Sequence, residues 1–256
     1  MPALNNRITN PIGDAKYFGS PPKLPWGNDS EDIKTVQGLL NVQIIKSGGS
    51  DRLLLLTSSI NSETVRAIVE FQGRNLSGAP SGLIKPSDAT FSKLLDFSGP
   101  SNMSSSRGLR DWLEQQEALK LQVYDDEAGH PTIGYGHLLP LGDETQVITK
   151  ENADWLFTQD VRKAEDRVKR NVGVPLTRNQ FDALTSLAYN IKHFAELDLL
   201  KKLNGSSSPR EFTGDYLGAA ERFDHYIYVH DLQTGKRPSK GLEHRRAYEK
   251  KLFRNR

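Results

Sequence analysis

Residues 117–137 read EALKLQVYDDEAGHPTIGYGH, and the fold and the chemistry of the chain both turn on this stretch. It holds two carboxylate positions, Glu117 and Asp126, separated by a short apolar and aromatic run of Leu119, Leu121, Val123 and Tyr124. Gly129 signals a turn, after which Thr132, Ile133, Gly134, Tyr135, Gly136 and His137 read as a strand with two glycines. With Glu117 closing a helix and Asp126 on the first strand or turn of the hairpin behind it, both carboxylates face one cleft. Cleaving a sugar-sugar bond needs that pair: one carboxylic acid protonates the leaving oxygen, and a second carboxylate handles water or the developing cation.

Outward from this stretch, the 256 residues suffice for one large domain or two modest ones, and the internal punctuation favours two. The composition, 36% hydrophobic, is that of an ordinary globular chain. Its longest apolar run, Leu53 with Leu54, Leu55 and Leu56, is far below the ~18 to 20 apolar residues of a membrane span, so no span is expected. The N-terminus lacks the basic, apolar and small-residue order of a secretory signal; the expectation is synthesis in the cytoplasm and release by another route. The absence of cysteine excludes disulfides and thiolate metal sites. Net charge is only +2, yet residues 236–256 carry nine basic side chains against two acidic ones. Such a tail suits an anionic polymer, membrane or nucleic acid; it equally suits a solvated helix end, where cations are favoured.

Residues 1–28 are rich in Pro, Gly and Asn and read as an extended lead-in anchored by Tyr17, Phe18 or Trp26. A first helix starts near Ser30, places Ile33, Val36, Gln37 and Leu40 at helical spacing and is expected to end at Asn41. Residues 44–56 are a looser stretch. A second helix begins at Asn61 with Val65, Ile68, Val69 and Gln72 on one stripe, and a third, short one carries Phe91, Leu94 and Leu95. Residues 98–106, rich in Ser and Gly, read as a linker that lets the two halves move.

Val36-Gln37 with Leu39-Leu40-Asn41, then Thr64, Ala67-Ile68 and Phe71-Gln72, then Gly82-Leu83-Ile84 and Leu94 together resemble the three-helix peptidoglycan-binding module. The resemblance implies a small wall-binding domain at residues 29–97. The family's usual Asp-Gly pair before the second helix is missing, and extra residues stand there, which leaves its sugar or peptide contacts open. The competing reading is a helical spacer that binds nothing.

The second half, residues 107–256, opens with a helix to about Ala118 bearing Leu109, Trp112, Leu113 and Gln116. After the hairpin, Thr149 caps a helix whose apolar stripe is Ala153, Leu156, Phe157, Val161, Ala164 and Val168. Asp160 falls on that stripe, and a carboxylate on a buried face needs a cation or histidine beside it. Residues 177–180 form a capping box that starts the helix of Phe181, Leu184, Leu187, Ala188 and Ile191. Further helical pieces at 199–203 and 212–223 precede a loop at 235–241 and a final basic helix. Apart from one small β element at 121–138, this half reads as all helix.

The pattern E-A-L-x-L-x-x-Y-x-D-x-x-G-x-x-T-I-G-Y-G-H resembles the phage-type lysozyme family, the T-even-phage-like glycoside hydrolases that include endolysins. Collinear motifs continue it at 148–160, 180–190, 199–204 and 240–253. The implied fold is mainly α: an α+β lysozyme-like catalytic domain with a small β-hairpin, preceded by the three-helix domain. By the same resemblance Glu117 is the general acid, Asp126 the second catalytic carboxylate, and Thr132 the residue that helps hold the attacking water. His137 and Asp160 match a structural ion pair, and Arg245 an arginine that contacts the acid. Leu138, Tyr189 and Asn190 match positions lining the sugar cleft. Ala118 stands where the family commonly has Gly; because Ala takes helical dihedrals readily, the change is expected to alter local cleft shape only.

The implied reaction is hydrolysis of the β-1,4 bond between N-acetylmuramic acid and N-acetylglucosamine with inversion, and this places a protonated Glu117 and an ionised Asp126 about 6.5 to 9.5 Å apart. Rival readings are a non-catalytic wall-binding protein that keeps the fold, and a lytic transglycosylase. No cofactor is expected. The six histidines lack zinc spacing, residues 125–127 lack EF-hand periodicity, and Gly134-Tyr135-Gly136 lacks the third glycine of a dinucleotide fingerprint. The expected partner is bacterial peptidoglycan in the periplasm, met by a monomer, with no nucleic acid. Release through a holin marks an endolysin. Injection marks an antibacterial effector of the type VI kind, with an immunity protein and a secretion-spike component as further partners; the Pro- and Gly-rich lead-in, suited to docking on delivery machinery, favours it slightly.

Overall fold

The computed structural model describes residues 12–13, 30–49, 52–85, 88–126, 129–140, 147–205, 214–231 and 235–255. The anchors expected at Tyr17, Phe18 and Trp26, and Phe212 of a later helical piece, lie outside these residues. The first part of the chain forms β1 (Ile12–Gly13), α1 (Ser30–Lys46), α2 (Ser62–Asn75), β2 (Leu83–Ile84) and α3 (Ala89–Leu94). α1 continues past Asn41, where periodicity alone ended it, because Val42 and Ile45 extend its buried stripe. α2 starts where expected, with Asn61 Oδ1 accepting from Thr64 N at 2.8 Å. β1 and β2 pair antiparallel, Ile12 opposite Ile84.

The amides that carried the resemblance in this part are structural staples. Gln37 Nε2 donates to Thr57 Oγ1 (3.0 Å) and Thr64 Oγ1 (3.1 Å), and its Oε1 accepts from Thr57 N (2.7 Å). Asn41 holds Leu54 through both its backbone oxygen and its N–H, at 2.9 and 2.7 Å. Gln72 Oε1 accepts from Ser81 N and Gly82 N, while its Nε2 donates to Leu83 O and Thr90 Oγ1. All three side chains are buried. Each therefore satisfies loop backbone groups that have lost water and pins an irregular connection onto a helix.

The remainder comprises α4 (Arg107–Glu117), β3 (Lys120–Asp125), β4 (Pro131–Gly134), β5 (His137–Leu138), α5 (Lys150–Asn171), α6 (Arg178–Asn190), α7 (Asp198–Asn204), α8 (Tyr216–Arg222), β6 (Tyr228–Asp231), β7 (Gly235–Pro238) and α9 (Lys240–Arg254). This is the mainly helical α+β arrangement expected. Thr149 caps α5, and the capping box of Thr177 and Gln180 starts α6 with both reciprocal bonds made. The hairpin of β6 and β7 departs from the all-helix expectation. Its β7 residues are exposed, so no alternation of apolar and polar residues marks it in the sequence. α6 is the axis of this part: every residue from Gln180 to Ala188 is buried, between α5 and α9.

One cluster of buried apolar side chains runs through both parts of the chain, from Ile33 and Leu94 to Phe181 and Phe253. A second lies under the candidate site and joins Leu109 and Leu113 of α4 to Tyr135, Ala153, Phe157 and Val161. The end of the Ser-rich linker is anchored. Ser105 N and Oγ donate to Glu165 Oε1 at 2.8 and 2.6 Å, Ser106 N donates to Asp182 Oδ1 at 2.9 Å, and Arg178 reaches Ser104 O. Gly214 also meets α1: its O accepts from Asn41 at 3.4 Å, and a Cβ there would lie 2.4 Å from Gly38 O, at a φ of +49°.

Part of the basic tail is used inside the molecule. Arg245 and Arg246 are buried, Lys250 bonds Glu221 (2.6 Å) and Asp224 (2.7 Å), and Arg254 pairs with Glu221. No helix among the described residues is long and apolar enough to cross a membrane.

Candidate active site

Glu117 is the last residue of α4, a helix fixed at its other end by Ser106 Oγ accepting from Leu109 N and at its middle by buried Leu109 and Leu113. The next residue turns the chain. Ala118 has φ +41° and ψ 108°, and it is the one non-glycine residue among those described with positive φ. The expectation of ordinary helical dihedrals is thus corrected: the chain must leave α4 and reverse into β3 within two residues, and no right-handed conformation does so. For an L-residue the left-handed region costs about 1–2 kcal/mol.

β3 pairs antiparallel with β4, and β4 with β5. Tyr124 stands opposite Thr132, and Thr132 opposite Leu138, so these three side chains share one face of the sheet. Register is irregular between Lys120 and Tyr124, as at a β-bulge. Thr132 is 2% exposed and donates its hydroxyl hydrogen to His130 O at 3.0 Å. Asp126 lies at the hairpin tip. Its Oδ1 accepts from His130 N at 2.9 Å and faces His130 Nδ1 at 3.3 Å, while Asp126 N donates to His130 O. The carboxylate is thus held by the backbone N–H of His130.

Glu117 is held from two sides. Arg245 Nη1 of α9 donates to its Oε1 at 2.5 Å, and Gly136 packs against its other oxygen so closely that a Cβ there would sit 3.1 Å from Oε2. Gly136 has φ +79°, so glycine serves both the turn and the close approach. Burial raises the Tyr124 hydroxyl above the usual tyrosine range, and the negative charges of Glu117 and then Asp126 raise it further. Tyr189 is pushed well up by burial first, then by Glu117 and Asp160, with Arg245 opposing. Its hydroxyl donates to Tyr135 O at 2.5 Å.

His137 Nδ1 lies 2.6 Å from Asp160 Oδ2, and Lys163 donates to Asp160 Oδ1 at 3.0 Å. Burial works against the ionised form of Asp160, but the bonds and charges of His137 and Lys163 outweigh it, leaving its pKa below the usual value. Of the sugar-cleft positions, Leu138 is 39% exposed beside Thr132, Asn190 is exposed with its Oδ1 held by Arg246 at 2.8 Å, and Tyr189 is half-buried beside Glu117. Sequence reasoning did not single out Tyr124, His130 or Glu249. His130 could have been found four residues after Asp126 across a turn, and Glu249 four after Arg245 on one helix. Among the described residues no group of acidic residues and histidines can hold a metal ion.

The phage lysozyme family profile matches residues 114–249, more than half of the chain and the whole of this site except the start of α4. The chain belongs to the phage lysozyme family. It is 39% identical over 146 residues to the endolysin of Acyrthosiphon pisum secondary endosymbiont phage 1, covering 55% of this chain and 91% of that one. Among solved structures it resembles the endolysin from Escherichia coli O157:H7 phage FAHEc1 (33% identity, TM-score 0.50, 59% of this chain and 94% of that one). It also resembles the muramidase domain of SpmX from Asticaccaulis excentricus (31% identity, TM-score 0.50, 59% and 98%). As a lysozyme of this family the chain is a peptidoglycan hydrolase.

Proposed function

We propose that the chain is an N-acetylmuramidase that cleaves the β-1,4 bond between N-acetylmuramic acid and N-acetylglucosamine by direct displacement with inversion. The observation that supports this reading is that Glu117, clamped between Arg245 and Gly136 at the end of α4, is followed directly by the hairpin that carries Asp126 and the buried Thr132. Glu117 gives its proton to the glycosidic oxygen as that bond breaks. A water on the opposite face of the ring directs its two hydrogens to the Asp126 carboxylate and to Thr132 Oγ1. The Thr132 hydrogen is already engaged by His130 O, so its oxygen is left to accept. The water's lone pair then points at the anomeric carbon, Asp126 takes the released proton, and solvent exchange restores both groups. Leu138, Tyr189 and Asn190 are proposed to line the cleft, with His137, Asp160 and Arg245 supporting it.

Inversion of a β bond yields the α anomer at the new reducing end, which NMR of early products reads directly. Clearing of purified peptidoglycan that survives Glu117→Gln would sink the assignment of the acid. Anhydro-muramyl products in the mass spectrum would turn the reading to lytic transglycosylation, against which the presence of Asp126 and Thr132 argues. Wall binding without cleavage by the unaltered chain would leave only the non-catalytic reading.

The setting we favour is that of an endolysin, the name carried by the relative cited above; a holin gene beside this one is the expected neighbour, and an immunity gene with spike components would reverse the choice to an injected effector. Residues 29–97 are proposed as the wall-anchoring part. The Glu117→Gln full chain should sediment with intact peptidoglycan, and substitutions on the exposed faces of α2 and α3 should release it.

A further inference from the structure

The acid end of the site is tied to a second, fully buried carboxylate that the mechanism does not use. Glu249 lies one turn beyond Arg245 on α9 and is 0% exposed. Arg245 spans the two: Nη1 meets Glu117 Oε1 at 2.5 Å, and Nε meets Glu249 Oε1 at 3.4 Å. Arg246 Nε faces Glu249 Oε2 at 3.1 Å, and Ser186 Oγ of α6 donates to Glu249 Oε1 at 2.5 Å. Arg246 is turned the other way by Asn190, so the same helix turn serves the cleft rim and the buried carboxylate. Arg245 Nη2, Arg246 Nε and Nη1, and Glu249 Oε2 are buried with no hydrogen-bond partner among the described residues. Of these four atoms three are donors and one an acceptor, and two guanidinium groups share one buried carboxylate.

We propose that Glu249 is a positioning residue for the lysozyme reaction: it fixes the Arg245 guanidinium against Glu117 and offsets part of the guanidinium charge beside the acid. The inference rests on the assignment of Glu117 as the acid. With Glu249 ionised and Glu117 protonated, the cluster has one uncompensated positive charge; without Glu249 it has two, and each favours loss of the Glu117 proton. Burial holds the Glu249 carboxyl above the usual glutamate range, although Arg246, Arg245 and the Ser186 hydroxyl pull the other way. Burial likewise works to lower Arg245, but Glu117 and Glu249 more than restore it. Every element around the cluster contributes identified groups. α6 brings Ser186, Asp182 and Tyr189, α4 brings Trp112, whose ring Arg245 overlies at 5.7 Å, and α9 brings Tyr248, stacked on Trp112 at 4.0 Å. The turn after α8 brings Tyr226 toward Arg246, and β3 brings Tyr124 and Asp126 on the far side of Glu117. Among the described residues the carboxylates shown paired with Arg245 are Glu117 and Glu249.

The test is the pH dependence of peptidoglycan clearing by the full chain between pH 4 and 9 at fixed ionic strength, with circular dichroism to confirm folding. Glu249→Gln keeps the shape and the Ser186 bond but removes the charge; the alkaline limb of its profile should move to lower pH by about one unit. Ser186→Ala, which removes a donor that favours ionised Glu249, should move it the same way by less, and it carries the test if Glu249→Gln does not fold. Glu249→Asp should restore part of the shift. A folded Glu249→Gln, or in its place Ser186→Ala, with an unmoved limb overturns the proposal, whether activity is unchanged or lowered equally at every pH. Clearing by Glu117→Gln in the same assay would instead overturn the assignment of the acid, so the two failures read differently.

Discussion

Arg245 Nη1 and Glu117 Oε1, 128 residues apart in sequence, meet at 2.5 Å. The last helix of the chain thereby holds the last residue of α4, and the buried guanidinium is shared with Glu249 behind it. Replacing Arg245 with Met should lower the unfolding free energy by about 3 kcal/mol, because it leaves Glu249 with Arg246 alone in a dry interior. Urea denaturation at pH 7 measures this. A loss within the scatter of surface substitutions would mean that the pair is decorative.

Gly136→Ala should spare the fold and harm the reaction. The substitution meets φ +79° and puts a methyl 3.1 Å from Glu117 Oε2. The carboxylate must give by tenths of an ångström against the Arg245 bond. Stability should fall by about 1–2 kcal/mol, and turnover on peptidoglycan by a factor on the order of ten, since small misplacements of a reacting group are expensive in rate.

Ala118→Gly should do the reverse for stability. It relieves the φ of +41°, and the greater freedom of glycine in the unfolded chain takes back roughly half of that. A net gain of up to about 1 kcal/mol in a urea titration is expected, with little effect on Glu117, which is held by Arg245 and Gly136.

Asp160 gives the fold an acid-sensitive element. Its folded pKa lies below the unfolded value, so its contribution to stability is complete above the usual aspartate pKa, about 3.9, and fades as pH falls through the depressed folded value. Asp160→Asn should therefore lower Tm at pH 7 and converge on the parent protein as pH approaches 2. Parallel Tm curves across that range would show that the pairing with His137 and Lys163 adds no pH-linked stability.

Much of this was legible because it is local. The caps at Asn61, Thr149 and Thr177 were readable, since a cap involves only residues three apart. The need of Asp160 for a partner was readable from one helix stripe, and His137 meets it. Asn41 misled, because its polar side chain looked like a helix end when it is buried to hold Leu54. The charge counts of the basic tail said nothing of Glu221, Asp224, Glu117 and Glu249, which pair with Lys250, Arg254, Arg245 and Arg246 only after α9 has packed.

The sequence by itself determined the two carboxylates, the hairpin between them and the helices that carry it, because periodicity, turn residues and motif spacing act within a few turns of chain. Only the tertiary structure decided that Glu117 is clamped between Arg245 and Gly136, that the Ser-rich joint is anchored on Glu165 and Asp182, and that Glu249 stands behind the acid. Those contacts are made by elements distant in sequence. Which charges meet there is set by how α9 and α5 bury their faces against α6, and no local pattern encodes that.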